Sequence, residues 1–166
     1  MVNKNLRLEG VRILFRNFKG EERKYNRAGA RNFCAVVPEK QAETLEEEGW
    51  PIRWLEPKRE GDERVGLIKI SISYKNPNSQ PTVVMITGKK KTKLDEEALE
   101  TLDSAEIESV DLIARPYNWE VNGKTGVSAY LKTGYFTILE DEFHKKYYDD
   151  DEESSSMAEL DDDVSF

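Results

Sequence analysis

Apolar and polar side chains alternate along several stretches of the chain, which is typical of half-buried β-strands. In residues 67–74 one parity is apolar or aromatic and the other is polar; the first set is Ile68, Ile70, Ile72 and Tyr74, and the second is Lys69, Ser71 and Ser73. Residues 11–18 alternate too, with Val11, Ile13 and Phe15 on one face and Arg12, Leu14, Arg16 and Phe18 on the other. Both segments are therefore predicted to be strands, with Tyr74 in the core and Phe18 on the outer face.

Interruptions of this pattern predict the other elements. Pro38 precedes an acidic helical stretch that ends at Gly49, and Asp95 is suited to cap a second helix, with Leu94 placed to pack on Leu99. The run Asn-Pro-Asn-Ser at residues 76–79 indicates a turn. The predicted strands are residues 31–37, 51–55 and 82–87, the predicted helices are residues 39–48 and 95–103, and the predicted loops are residues 19–30, 58–63 and 89–93.

Two long strands form the strongest pattern, at residues 110–121 and 124–139. Asn122 and Gly123 lie between them, and this pair is favoured in a type I′ turn because both positions require positive φ. The segment is predicted to be an antiparallel hairpin.

These elements predict a mainly β fold with six or seven strands and two short helices. The helices are too few for a parallel sheet built from βαβ units. A small OB-type antiparallel barrel with long loops accommodates them. We therefore expect an OB-type domain at residues 1–148 and a disordered acidic tail at residues 149–166.

Charge is distributed unevenly, although the net value is −8. Residues 149–166 contain nine acidic side chains and no Lys or Arg, so residues 1–148 carry all 25 basic residues against 24 acidic ones. Nine of the basic residues, but only three acidic ones, lie within residues 1–36. A basic front and an acidic tail favour a polyanionic partner and a tail that mimics it.

Little in the sequence suggests catalysis or metal binding. The chain has one cysteine, Cys34, and one histidine, His144, whereas a structural zinc site needs about four such ligands. Walker, GxSxG and HExxH motifs are absent, as are a membrane-length apolar run and a signal peptide. We expect a cytoplasmic protein that is not an enzyme, uses no cofactor or metal and contacts no membrane.

Basic and aromatic side chains share strand faces, as single-stranded nucleic acid requires: positive charge for its backbone and flat rings for its unstacked bases. On the first hairpin strand, Arg115, Tyr117 and Trp119 have one parity, although any single aromatic fits a place in the core equally well. The candidate DNA-binding residues are Arg12, Arg16, Phe18, Lys19, Arg23, Lys24, Tyr25, Arg27, Arg31, Arg115, Tyr117, Trp119, Tyr130 and Lys132.

The end of the chain resembles the acidic tip of bacterial and phage single-stranded DNA-binding proteins, in which acidic residues precede a terminal phenylalanine. The residues that carry this resemblance are Asp161, Asp162, Asp163, Val164, Ser165 and Phe166. Residues 111–119, followed by a glycine-containing turn, and the basic opening from Arg12 to Arg31 resemble phage-encoded OB-fold members. The resemblance implies an OB fold, sequence-tolerant binding of single-stranded DNA, a host-cell cytoplasmic location, and a tail that docks proteins of replication, recombination or repair. The chain lacks the long Gly/Gln/Pro-rich spacer of the bacterial type, which leaves its oligomeric state, including a homo-oligomer, open.

The leading hypothesis is a phage-type single-stranded DNA-binding protein. DNA would cross the Arg12/Arg16 strand and the Tyr117/Trp119 hairpin, with the loop at residues 19–30 closing over it. The unbound tail would compete for the same groove because its tether gives it a high effective concentration. A protein-interaction module or DNA mimic, a Mg²⁺-dependent nuclease, and an RNA-binding protein are the alternatives.

Overall fold

The computed structural model describes residues 2–140, and about half of the chain is in β-strands. Nine strands, two α-helices and one 3₁₀ turn lie within these residues. The strands are β1 (Leu6–Val11), β2 (Ile13–Asn17), β3 (Arg31–Pro38), β4 (Arg53–Leu55), β5 (Val65–Ile72), β6 (Thr82–Thr87), β7 (Lys90–Leu94), β8 (Ile107–Val121) and β9 (Lys124–Ile138). The helices are α1 (Glu39–Glu48) and α2 (Thr101–Ser104), and the 3₁₀ turn is Glu97–Glu100.

The strands form one mixed sheet in the order β1-β8-β9-β5-β3-β2. β4 pairs with β5, β6 pairs with β9, and β7 pairs with β6. Most pairings are antiparallel, whereas β5 and β6 each run parallel to β9. The two ends of the path, β1 and β2, are separated only by Arg12, so the sheet bends round as a partly open barrel. The predicted mainly β, OB-type fold with two short helices is confirmed.

One face of the sheet forms the core. The β3–β5 register places Phe33 opposite Ile70 and Ala35 opposite Ile68, and all four side chains are buried. The rings of Phe18, Phe33 and Phe136 meet there with centroids 5.3–5.7 Å apart. The opposite face of the same strands is therefore left for contacts outside the core.

Elements with strong local signals are confirmed. Helix α1 spans the predicted residues and ends at Gly49, whose φ of 110° lies in the left-handed region. Strand β6 has the predicted bounds, and the hairpin turns at Asn122 and Gly123 with φ values of 52° and 79°. The predicted helix at residues 95–103 begins instead as the 3₁₀ turn Glu97–Glu100, and Asp95 Oδ1 accepts a hydrogen bond from the Ala98 amide at 2.8 Å just before it.

Two local predictions are wrong. Residues 11–18 do not form one regular strand: β1 ends at Val11, β2 begins at Ile13, and the β2–β3 register shifts between Leu14 and Asn17. This shift reverses the parity of the following residues, so Phe18 points into the core and not outward. Residues 89–93 are not a loop, because most of them belong to β7, which pairs with β6. The predicted tail at residues 149–166 lies outside the described residues.

Candidate nucleic-acid interface

The face of the sheet opposite the core forms the floor of a long groove. Strand pairing aligns Asn32 with Ser71, Cys34 with Lys69, and Ser71 with Tyr130, so these side chains share one face. The β8–β9 register continues this face onto the hairpin, where Arg115 lies opposite Tyr130, Tyr117 opposite Ser128 and Trp119 opposite Gly126. We call this surface the outer-face groove.

Three adjoining depressions make up the outer-face groove. The central one has a volume of about 750 Å³ and lies between residues 25–31 on one side and Tyr74, Ser128 and Tyr130 on the other. It shares Lys69 and Ser71 with a depression beside Cys34, and Tyr130 with a third beside Tyr117. The groove thus runs from the β8–β9 hairpin across β9 and β5 to β3.

Positive charge dominates the lining of this groove. Six cationic side chains line the three depressions against one carboxylate, that of Glu96; the cations are Arg27, Arg31, Arg53, Lys69, Lys75 and Arg115. Arg31 Nη1 donates to Glu96 Oε1 at 3.0 Å, and Arg115 Nη2 donates to the Ser79 carbonyl oxygen at 2.9 Å. Because these two bonds leave other donors on each guanidinium, the groove retains an excess of positive charge that suits a polyanion.

The hairpin wall presents exposed aromatic rings. Tyr117 is 57% exposed and packs edge-on against Tyr130, with ring centroids 6.0 Å apart. Trp119 is 36% exposed and lies two residues further along the same face. Rings fixed against neighbours and open on one side are suited to stack on a flat partner such as a nucleobase.

A glycine on the neighbouring strand makes room for the indole of Trp119. A Cβ atom at Gly126 would lie 2.6 Å from Cε2 and 2.9 Å from Cη2 of this ring. The ring therefore lies against the β9 backbone, in the space that a side chain at position 126 would fill. This contact fixes the ring without burying it completely.

The opposite wall is the basic loop at residues 19–30, and side-chain amides hold it in shape. The buried Asn17 accepts hydrogen bonds from the Gly20 and Glu21 amides, and Asn26 Nδ2 donates to the carbonyl oxygens of Glu21, Arg27 and Ala30. Tyr25 projects from this loop and is 89% exposed, with Lys24 Nζ 5.5 Å from its ring centroid. The loop is thus a preformed wall that carries an exposed ring.

Polar atoms at the back of the groove have unused hydrogen-bonding capacity. Within residues 2–140, Arg31 Nε and the Tyr74 hydroxyl are buried and have no hydrogen-bond partner. Burial, together with the nearby Glu96 carboxylate, raises the pKa of Tyr74, while Arg31 opposes this shift. The phenol stays protonated at neutral pH, so Tyr74 and Arg31 each keep a proton donor that no acceptor within residues 2–140 satisfies.

The structure brings together one part of the predicted site. Arg115, Tyr117 and Tyr130 line the hairpin side of the groove, and Tyr25, Arg27 and Arg31 line the loop side. Trp119 lies beyond Tyr117 on the same face of the hairpin, past the three depressions. Lys19, Arg23 and Lys24 are exposed on the outer part of the loop.

Four predicted residues lie elsewhere. Phe18 is fully buried, and its prediction as an outward-facing residue is wrong. Arg16 donates to the carbonyl oxygens of Leu102 at 2.9 Å and Ala105 at 2.6 Å, which ties it to the end of α2. Arg12 is exposed in a separate depression beside Glu39 and Arg64, and Lys132 is exposed outside the groove lining.

Sequence reasoning missed the residues on the floor of the groove. Alternation identified Lys69 and Ser71 as the polar face of β5, but it does not show that this face lines a groove. Asn32 and Arg53 gave no local signal, because only the pairing of β3 and β4 with β5 brings them to the groove. Lys75 gave none either, because it lies in the segment after β5.

In the part of the chain that the structure describes, no group of three or more His, Cys, Asp or Glu side chains is arranged to hold a metal ion. No helix within residues 2–140 is both long and apolar enough to cross a bilayer.

Together, the fold and the groove define a class: an OB-type β protein with a basic groove walled by aromatic side chains. The profile of the phage ssDNA-binding domain family matches residues 1–165. Since this match covers almost the whole chain, the protein belongs to that family.

Solved structures of phage proteins share the fold. The single-stranded DNA-binding protein from bacteriophage Enc34, in complex with ssDNA, superimposes with a TM-score of 0.54 at 12% identity, over 82% of this chain and 88% of that one. A C-terminal truncation of the Enc34 protein gives a TM-score of 0.51 at 10% identity, over 82% and 87% of the two chains. Comparison with curated protein sequences found no match.

Proposed function

We propose that this protein binds single-stranded DNA in the outer-face groove, with little regard to sequence, and protects it during phage DNA replication and recombination. The observation that carries the proposal is a continuous groove with six cations against one carboxylate and exposed rings on both walls. Membership of the phage ssDNA-binding domain family and the fold shared with a protein solved in complex with ssDNA support it.

Binding divides into two kinds of contact. The cations on the floor and the loop wall neutralise phosphates, while Tyr117, Trp119 and Tyr25 stack on bases. Each stacked base contributes about 1–3 kcal/mol whatever its identity, because every base has a π face. No base-specific hydrogen bond is needed, which accounts for sequence tolerance.

Titration with oligo(dT), followed by the fluorescence of the three tryptophans, tests this proposal. Stacking on Trp119 is expected to quench the emission. If each of the six groove cations neutralises one phosphate, log Kobs falls by about 4 for a tenfold rise in salt, at roughly 0.7 per phosphate. An oligo(U) series of the same lengths measures the preference for DNA over RNA. Absence of binding at low salt, or an affinity that does not change with salt concentration, would contradict the proposal.

Gly126→Ala is expected to weaken oligo(dT) binding and shift the tryptophan emission, because the added Cβ forces the Trp119 indole off the β9 backbone. The loss in affinity should be no larger than that of Trp119→Ala. Thr125→Ala changes the adjacent exposed residue and should leave both readings unchanged. If Gly126→Ala has the same oligo(dT) affinity and the same tryptophan emission as wild type, Gly126 does not position the Trp119 ring.

The acidic tail has two proposed roles. Residues 149–166 compete with DNA for the groove through their negative charge, and Asp161, Asp162, Asp163, Val164, Ser165 and Phe166 bind a basic pocket on replication or recombination proteins. DNA entering the groove would displace the tail and leave its tip free for those partners.

Deletion of residues 149–166 is expected to tighten oligo(dT) binding at low salt, with the difference vanishing at high salt as charge is screened. Affinity that is unchanged or weaker after the deletion would rule out competition. Deletion of Phe166 alone keeps all nine acidic side chains, so DNA affinity should stay near wild type while partner capture is lost.

A further inference from the structure

The backbone at Phe15 adopts a conformation that is unusual for its residue type. Its φ is 54°, in the left-handed region. Within residues 2–140 the other non-glycine residue with positive φ is Asn122, where a type I′ turn requires it and asparagine tolerates it. Phenylalanine has neither reason, so some other interaction must hold Phe15 in this conformation.

Burial of the ring does not offset this strain. Phe15 is 59% exposed, whereas Phe18, Phe33 and Phe136 are fully buried. Strict alternation would place the Phe15 ring on the same face as Val11 and Ile13, but the ring is exposed instead. The fold therefore keeps a large apolar ring in solvent by means of an unfavourable backbone conformation.

Contacts on both sides of Phe15 hold the strand in place. Leu14 pairs with Cys34 on β3, and the register then shifts before Asn17. Arg16 is tied to the carbonyl oxygens of Leu102 and Ala105, and the Phe18 amide donates to Asp103 Oδ1 at 2.8 Å. Phe15 is thus the extra residue of a β-bulge, a device that redirects side chains and is common beside functional sites.

The bulge lies where the outer-face groove ends. β2 neighbours β3, whose Asn32 and Cys34 line the groove, and the groove runs from β3 across β5 and β9 to the β8–β9 hairpin. Neighbouring β-strands are about 4.8 Å apart, so a DNA strand that crosses β9, β5 and β3 reaches β2 next. Leu14 on this edge is exposed as well, and Lys69 lies beside Cys34 at the adjoining end of the groove.

We propose that Phe15 is a base-stacking residue that extends the DNA path beyond the groove onto β2. The proposal rests on the proposed function and adds a contact that only longer DNA reaches. An exposed ring on the exit edge of a basic groove matches what an unstacked base requires, a flat apolar surface beside phosphate-binding charge. The β-bulge positions this ring before DNA arrives.

Phe15→Gly tests the proposal, because glycine adopts positive φ readily and removes the ring without straining the fold. Affinities are measured for wild type and variant on oligo(dT) from about 4 to about 16 nucleotides, the range that OB folds occupy. The variant should match wild type on the shortest strands and bind the longest about 5- to 150-fold more weakly. Phe15→Trp should restore the affinity for long strands. Tyr135→Ala, which removes an exposed ring outside the groove lining, should leave the affinities for short and long strands unchanged.

Other outcomes overturn the proposal. Equal affinities at every length, or the same loss at every length, would show that Phe15 adds no distal contact. A change in oligomeric state by light scattering, without a length-dependent loss, would assign Phe15 to a contact between copies of the chain. If wild type itself binds no strand of any length, the proposed function fails and this proposal fails with it.

Discussion

Replacing Trp119 with alanine is expected to weaken oligo(dT) binding by about 5- to 150-fold, which corresponds to the loss of one stacked base. The ring lies against Gly126 and is 36% exposed, so it is positioned in the free protein and open to a partner on one side. A preformed platform loses little conformational entropy on binding, which favours the upper part of this range. Fluorescence anisotropy with a labelled oligonucleotide measures the change.

Tyr135→Ala serves as the matched control, because it removes an exposed aromatic from the same hairpin outside the groove lining. Its affinity should equal that of wild type. The melting temperatures of all three proteins should agree closely, since both rings are partly exposed. If Trp119→Ala and Tyr135→Ala bind DNA equally well, the hairpin wall is not where bases stack.

Replacing Phe18 with alanine is expected to lower the free energy of unfolding by about 3–5 kcal/mol, as for other large-to-small core substitutions. Its ring is fully buried and stacks on Phe33 at 5.3 Å, with Phe136 edge-on at 5.5 Å. Urea denaturation measures the effect. Phe18→Leu should cost less and keep the protein folded well enough for DNA titration.

The prediction for Phe18 separates a core role from a binding role. Folded Phe18→Leu should bind oligo(dT) as wild type does, because its ring does not line the groove. Tyr25→Ala, which removes a ring that is almost fully exposed on the loop, should leave stability within about 0.5 kcal/mol of wild type. Wild-type stability in Phe18→Leu together with a loss of DNA affinity would contradict the assignment of Phe18 to the core.

Segments whose structure depends on local signals could be predicted from the sequence. Helix α1 has its stop signal in Gly49, and the β8–β9 hairpin has its turn in Asn122-Gly123, so neither needs distant information. Residues 115, 117 and 119 then follow from strand parity, and they do form the hairpin wall. The class of fold followed from these elements because few arrangements accommodate so many strands and so little helix.

The bulge in β2 could not be predicted, because contacts distant in sequence hold it. Asp103 binds the Phe18 amide, and the carbonyl oxygens of Leu102 and Ala105 bind Arg16, about 85 residues away along the chain. One extra residue moves Phe18 into the core and leaves Phe15 exposed, the reverse of what alternation predicts. The floor of the groove escaped prediction for a related reason, since Lys69 and Asn32 meet only through strand pairing.

Alkylation of Cys34 tests most directly whether DNA occupies the outer-face groove. Cys34 is the only cysteine of the chain and lies in the groove lining, half-buried beside Lys69 and Arg53. Burial raises the pKa of its thiol, with Lys69 and Arg53 opposing the shift, so the reaction with iodoacetamide is followed at mildly alkaline pH, where the thiolate fraction increases. Saturating oligo(dT) should slow the alkylation markedly at low salt, and the protection should disappear at a salt concentration that releases the DNA. An unchanged rate under conditions where fluorescence shows the DNA to be bound would contradict the proposed path across the groove.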